Sequence, residues 1–348
     1  MSHRSPDRRR EARVRALILA LPLLLALPSA CGGRPEAIDE RRPSLLVSDR
    51  SGALRIYEES GDGGARLLGR RGLGDRSTRD IMPARLPDGR IVFVSDRDGN
   101  PEIYIAASDG EARRLTVDPP DRPAVDSGPE PLGTDRIVFA RTAPGEPDAP
   151  AGTRDLFVLR LDGTGEKRLT HHPADDWAPS ASADGRSVVF VSDRTGTPRI
   201  HMIPDVEAAD LEASTVCLSD FELPRTSPGP GGRASADGAP AFLPDGSIVF
   251  SRTPFEGVPH LYVMGGRGAR DGLRQITESL TLPFGAAEPV VLDARTLLFT
   301  TGPIVDRGRP GSPARFAVYR IALGGFNLTR VTRSQAPYAD FARHLDDR

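Results

Sequence analysis

The chain has 348 residues, with 46 basic side chains against 48 acidic ones, a net charge of −2, and 38% hydrophobic residues. That hydrophobic share supplies a sizeable core and excludes wholesale disorder; the near-balance of charge removes the electrostatic footprint of a nucleic-acid binder. Glycine and proline, 36 and 33 residues, make the chain turn-rich without reaching low-complexity composition.

Residues 1–15 carry Arg4, Arg8, Arg9, Arg10, Arg13 and Arg15 against Asp7 and Glu11, and an apolar run from Ala16 to Leu27 follows. At ~1.5 Å per residue that run is too short to cross a ~30 Å hydrocarbon core as a helix. A basic start, a short apolar stretch and the small residues Ser29-Ala30 make a secretory signal. Leu27-Pro28-Ser29-Ala30-Cys31 resembles the lipobox of bacterial lipoproteins, with Pro28 where leucine is usual. The resemblance implies cleavage before Cys31 and diacylation of its thiol; Gly32 after it implies, by that family's sorting rule, the outer membrane, facing the periplasm. An ordinary cleaved signal followed by an incidental cysteine is the alternative. The expected organisation is a signal peptide at 1–30, a lipid-anchored tether at 31–43 and one folded domain at 44–348. Cys31 and Cys217 are the only cysteines, so no disulfide framework is expected.

A repeat with a period of about fifty residues fills that domain. Its clearest unit, residues 83–116, reads as four strands: Pro83–Leu86, Arg90–Ser95, Glu102–Ala106 and Ala112–Thr116. Asp88-Gly89 and Asp109-Gly110 are hairpin turn dipeptides. The apolar second strand recurs around Leu46, Phe93, Phe139, Phe190, Phe250 and Phe299. Pro83, Pro129, Pro179, Pro240 and Pro289 lie ten or eleven residues before five of these anchors. The closing strand recurs as Leu115-Thr116, Leu169-Thr170, Leu218-Ser219, Ile276-Thr277 and Val331-Thr332. The first unit begins on its second strand at Ser44, and a spare first strand stands at 336–341. The expected fold is all-β: a six-bladed β-propeller of four-stranded antiparallel blades, with the C-terminal strand closing the first blade and removing two sheet edges.

These units are similar to the WD-like β-propeller repeat of the TolB family: a proline, an Asp-Gly turn, an apolar strand ending in Ser-Asp-Arg, then Ile-Tyr and Leu-Thr. Pro83 to Thr116, Pro179 to Arg194 and Pro240 to Thr277 carry it best. The resemblance covers about residues 44–345 and marks fold more than activity. Only residues 32–43 precede the first strand, so contacts of that family's N-terminal domain do not carry over.

Alternate turns of such blades lie on opposite faces. The long insertions 142–154, 302–314 and 222–238 all fall on the face of the second-to-third turns and blade-to-blade links; 205–215 sits opposite. That crowded face is the expected binding face, although tolerated insertion explains such loops equally well. The same face carries Asp80, Asp126, Asp176 and Asp237, three residues before the repeat prolines, and the pair His171-His172. The aspartates have two readings: carboxylates around an axial channel that bind a cation or basic peptide, or Asx-turn residues that shape the links. Adjacent histidines point opposite ways along an extended segment, so no metal site is expected.

No G-x-S-x-G, H-E-x-x-H, Walker loop or strand-linked G-x-G-x-x-G occurs. The expected function is therefore non-enzymatic: a lipid-anchored envelope propeller that binds a protein or peptide on its long-loop face, without cofactor or nucleic acid. The alternative is a carbohydrate-active or peptide-cleaving propeller that uses the channel carboxylates.

Overall fold

A computed structural model describes residues 44–341, apart from 50, 61–63, 69–77, 108–110, 119–122, 143–151, 222–234, 256, 267–271, 278–284, 305–314 and 333–339. The segments 1–30 and 31–43 expected to be signal peptide and tether, with Cys31, lie outside the described residues, as do most of 142–154, 222–238 and 302–314. Six four-stranded antiparallel sheets form a propeller. Blade 1 holds 44–67 together with Asp340–Phe341; blades 2 to 6 span 80–114, 125–168, 176–217, 236–275 and 287–330. Asp340–Phe341 lies beside Ser44–Ser48, with Phe341 opposite Val47, so the end of the chain completes the first blade.

The first strand of each blade is the inner one, and the inner strands of blades 2 to 6 pack side by side around the axis. These strands start earlier than the prolines suggest: in blade 2 the strand is Asp80–Arg85, not Pro83–Leu86. The reason is a β-bulge. Met82-Pro83 together oppose the single residue Phe93, because the register steps from Ile81↔Val94 to Ala84↔Val92. The same two-against-one step sets Gly128-Pro129 against Phe139 and Ala178-Pro179 against Phe190. It recurs with Ala239-Pro240 against Phe250 and Glu288-Pro289 against Phe299. A bulge leaves one residue unpaired, so a proline there removes no ladder hydrogen bond. The spacing from repeat proline to anchor phenylalanine is thus the length of one hairpin, measured from bulge to opposing residue.

The residue before each proline adopts a left-handed conformation, with φ of +50° at Met82, +57° at Gly128, +50° at Ala178, +43° at Ala239 and +53° at Glu288. Four of the five are not glycine, and each stores strain of order 1 kcal/mol that the surrounding packing holds in place.

Each anchor phenylalanine faces an aromatic ring on the third strand. Centroid separations are 6.0 Å for Phe93–Tyr104, 5.9 Å for Phe139–Phe157, 5.8 Å for Phe190–His201, 5.9 Å for Phe250–Tyr262 and 5.8 Å for Phe299–Tyr319. The core is divided into the seams between blades: Val92, Ile103 and Ile105 of blade 2, for example, pack against Ile137, Phe139 and Leu159 of blade 3.

The fourth strands are short, Arg113–Arg114 in blade 2, where the sequence suggests five residues. Hydroxyls compensate. The Ile103 N–H donates to Thr116 Oγ1 at 2.9 Å, Leu156 to Thr170 at 3.0 Å, and Ile200 to Ser219 at 2.8 Å. Leu261 donates to Thr277 at 3.2 Å and Val318 to Thr332 at 3.1 Å. The recurring Leu-Thr pair therefore has two jobs: its apolar member enters the seam and its hydroxyl ties strand four to strand three.

The bulge geometry has a direct consequence. Gly128→Val places a β-branched residue at φ +57° and is expected to cost about 1–3 kcal/mol in urea unfolding. Ala239→Gly, which relieves the same conformation, is expected to be neutral or to stabilise by a few tenths of a kcal/mol.

Candidate functional site

The four aspartates begin the inner strands, and each is almost fully enclosed: Asp80 is 3% exposed, Asp126 1%, Asp176 0% and Asp237 4%. A guanidinium from the end of the second strand or the turn after it meets each one. Arg97 Nη2 donates to Asp80 at 2.9 Å and Arg194 Nη2 to Asp176 at 2.9 Å. Arg141 is bidentate on Asp126, at 2.6 and 3.0 Å, and Arg252 bonds both oxygens of Asp237 through Nε and Nη2. The same guanidiniums lie over the blade's aromatic rings, Arg97 at 4.6 Å from the Tyr104 centroid and Arg141 at 5.2 Å from that of Phe139. A carboxylate from the fourth strand's approach completes the group in two blades, with Glu166 Oε2 2.9 Å from Arg141 and Glu212 Oε1 2.6 Å from Arg194. One arginine thus connects four strands. The Asp-Arg part of the Ser-Asp-Arg motif is explained in the same way, since Asp96-Arg97 and Asp193-Arg194 form tight turns that aim the guanidinium back over its blade.

Of the two readings of the aspartates, neither an Asx-turn nor an open carboxylate ring describes what is seen: the partner is an arginine. Asp126 and Asp237 have both carboxylate oxygens bonded to arginine, and Asp80 and Asp176 have one each, all four enclosed within the blades. His171 is exposed in the link between blades 3 and 4, while His172 is half-buried and accepts the Ala174 N–H at its Nδ1. Trp177 packs into the seams on both sides of its blade and carries the Arg154 guanidinium at 5.1 Å. His201 is buried against Phe190, and burial pushes its pKa down to about 4. Among the described residues no group of three His, Cys, Asp or Glu side chains is placed to hold a metal ion.

A well-formed concavity stands elsewhere. A cavity of about 600 Å³ opens on the axis at the face of the first-to-second turns, opposite the aspartates. Its walls come from the far ends of the inner strands, after the bulges: Pro131, Ala181, Phe242 and Val291, with Leu45 from blade 1 and Arg85 at the rim. Arg85 is fixed by Glu58 of blade 1 at 2.6 Å, and the Phe242 N–H reaches Ser180 Oγ of the neighbouring blade at 3.3 Å. Asp80 and Arg85 stand at the two ends of the same inner strand, five positions apart, on the order of 15 Å along the strand. Sequence reasoning missed this cavity because its wall is built from residues without distinctive chemistry. The signal that locates it is the stretch after each repeat proline, which always ends at the axis.

No family model matches the chain. Over 162 residues, 46% of this chain, it is 32% identical to the protein TolB homolog of Chlorobium luteolum. The chain spans about a third of that relative, 33% of its length. The chain is a six-bladed β-propeller that resembles a TolB homolog in sequence over part of its length. Solved structures agree on the fold: a TolB from Acinetobacter baumannii matches with a TM-score of 0.56 and 17% identity, over 86% of this chain and 66% of that one. A TolB from Agrobacterium tumefaciens matches with a TM-score of 0.55 and 15% identity, over 83% and 88%.

If the enclosed ion pairs hold the blades together, removing one partner leaves an uncompensated buried charge. Arg252→Ala is expected to cost about 3–5 kcal/mol, against little or no measurable loss for Arg186→Ala in the exposed Arg186–Asp205 pair. Chemical denaturation of both variants, with Asp237→Ala and the double variant to complete the cycle, checks it.

Proposed function

We propose that this chain is a lipid-anchored envelope propeller that binds a protein partner by taking an extended peptide segment into its axial cavity, without catalysing a reaction. The observation that carries the reading is the cavity itself: about 600 Å³, apolar-walled and built from the inner strands of blades 2 to 6, within the size range of ligand pockets. Its rim is polar where Arg85, Glu130 and Asp293 stand, so apolar side chains are received inside and backbone or charged groups at the edge. Similarity to TolB proteins supports an envelope setting and a protein partner. The long-loop face, with 142–154 and 302–314, is the second place where a partner could add contacts, since long loops on a rigid ring are where binding usually lives. The non-enzymatic reading is supported by the state of the four aspartates, which are engaged by arginine and turned away from the cavity. Lipid attachment at Cys31 rests on its place directly after the apolar signal stretch.

Two experiments test these statements separately. In affinity capture from detergent-solubilised envelope, the double variant Ala181→Glu, Phe242→Asp is expected to lose a partner that the unaltered chain retains, with its melting temperature kept within a few degrees. Retention by that variant, together with loss on deleting 142–154 and 302–314, moves binding to the long-loop face. For the anchor, Cys31→Ser is expected to abolish incorporation of radiolabelled palmitate in cells; unchanged labelling rejects that attachment site.

A further inference from the structure

The hydroxyl that ties strand four to strand three stands between two positions whose charge differs from seam to seam. One is the residue preceding the bonded N–H on strand three; the other begins the next blade's inner strand. Between blades 1 and 2, where the sequence has Gly69 in place of the hydroxyl residue, the pair is Arg55 and Asp80, 3.6 Å apart. Between blades 4 and 5 it is Arg199 and Asp237, and between blades 5 and 6 it is His260 and Ala286. Both flanks of blade 3 are different. Glu102 and Asp126 face the seam with blade 2, and Asp155 and Asp176 the seam with blade 4: acid against acid, with exposures of 0%, 1%, 7% and 0%.

Among the described residues the surrounding charges do not balance these acids. At the first seam Arg114 serves Glu102 and, at 3.6 Å, Asp98; Arg141 serves Asp126, Glu166 and, at 3.8 Å, Asp118. Among the described residues five carboxyl groups therefore face two guanidiniums, with Asn100 the neutral donor that bridges Glu102 and Asp118. At the second seam Arg168 serves Asp155 at 2.7 Å, while Arg194 is shared between Asp176 and Glu212. Arg154 is held by Asp175, whose N–H donates to Asp193, and His171 lies near enough to act on Asp155. The Thr116 hydroxyl accepts the Ile103 N–H and donates to Glu102 at 2.6 Å. A hydroxyl has one proton to give, so it satisfies one of the two acids and not both. Thr170 stands in the same position, 3.3 Å from Asp155.

We propose that blade 3 is latched by protons: the acid–threonine–acid groups on its two flanks hold it to its neighbours while each pair of carboxyls keeps one proton, and loss of those protons loosens both flanks together. The inference goes beyond the peptide-binding reading and stands whether or not the cavity takes a peptide. The titration of these groups agrees with it. Burial pushes Glu102 up to about 7, with the charges of Asp126 and Asp118 adding to the effect. Burial pushes Asp176 up to about 6, with Asp155 adding. Carboxyls with folded pKa values above their unfolded ones favour the folded state at acid pH. That contribution declines as pH rises from the ordinary carboxylate range through 6 to 7.

The same N–H-to-hydroxyl bond recurs in seams without paired acids, so the molecule contains its own control. Amide hydrogen exchange of the full chain in detergent, at about pH 5.5 and about pH 8 and divided by intrinsic rates, reads Ile103 and Leu156 against Ile200 and Val318, since the Thr277 hydroxyl that holds Leu261 also contacts His260. Protection at Ile103 and Leu156 is expected to fall at least tenfold further than at Ile200 and Val318, about the factor of one pKa unit. Glu102→Gln is expected to remove the excess at Ile103, and Asp155→Asn the excess at Leu156. An equal change at all four amides overturns the proposal, as does an excess that persists in both variants. If either variant fails to fold, the comparison of seams within the unaltered chain still decides.

Discussion

The guanidinium buried between an inner-strand aspartate and a pair of stacked rings is the contact on which the propeller depends. A four-stranded blade has few ways to fix strand one against strand four, which never touch through ladder bonds. Arg141 does so alone, with Asp126 on the first strand, Phe139 on the second, Phe157 on the third and Glu166 ahead of the fourth. Enclosing such a pair carries a desolvation penalty that only good geometry and complete hydrogen bonding offset. The bidentate bonds of Arg141 and Arg252 provide that geometry, and a lysine, with its single point charge, does not. The chain holds one lysine, Lys167, among 46 basic residues. Base composition is one explanation for that ratio, but at four positions the structure supplies a chemical one.

Strain and position are connected through the bulge. Without the extra residue, each inner strand would run straight from its buried aspartate to the opposite face. The two-against-one step before every repeat proline bends the strand and re-aims its far end, and the far ends together form the cavity wall. Proline suits the place twice over, having no N–H to lose and a fixed φ. The left-handed residue before it is the cost, borne by methionine, alanine and glutamate as well as glycine. Repetition of the same conformation in five blades argues that the ring enforces it: a single blade released from its neighbours has no reason to keep Met82 or Ala178 at φ +50°.

The fold was legible because it depends on periodic features. Apolar second strands, Asp-Gly turns and the spare strand at 336–341 announce six blades and their closure without reference to any long-range pair. The site was less legible. Asp80 and Arg97 are seventeen residues apart, and Asp126 and Arg141 fifteen, so each aspartate reads as an unpaired acid until the hairpin returns its partner. The threonines of the Leu-Thr pairs look like strand-end markers, although their hydroxyls replace ladder bonds that a two-residue strand cannot make. The cavity left the weakest trace, since Pro131, Ala181 and Val291 acquire meaning only when five inner strands converge on one axis.

A repeat of this kind separates what must stay constant from what is free to vary. The bulge, the stacked pair and the closing hydroxyl recur almost unchanged because each solves a backbone problem common to every blade. The residues on either side of that hydroxyl solve none, and they range from arginine with aspartate to acid with acid to histidine with alanine. Seams made from one set of backbone bonds therefore differ in the charge they enclose, and a difference in enclosed charge is a difference in how each seam responds to protons. Blade 6, with Ala286 and Thr301 where other blades carry the aspartate and arginine, shows how far the exchange extends: its place is held by Phe299, Tyr319 and the Thr332 hydroxyl without an ion pair of that kind among the described residues. The ring tolerates that loss in one blade because blade 6 packs against blade 5 on one side and, on the other, against Asp340–Phe341, which joins it to Ser44–Ser48 of blade 1.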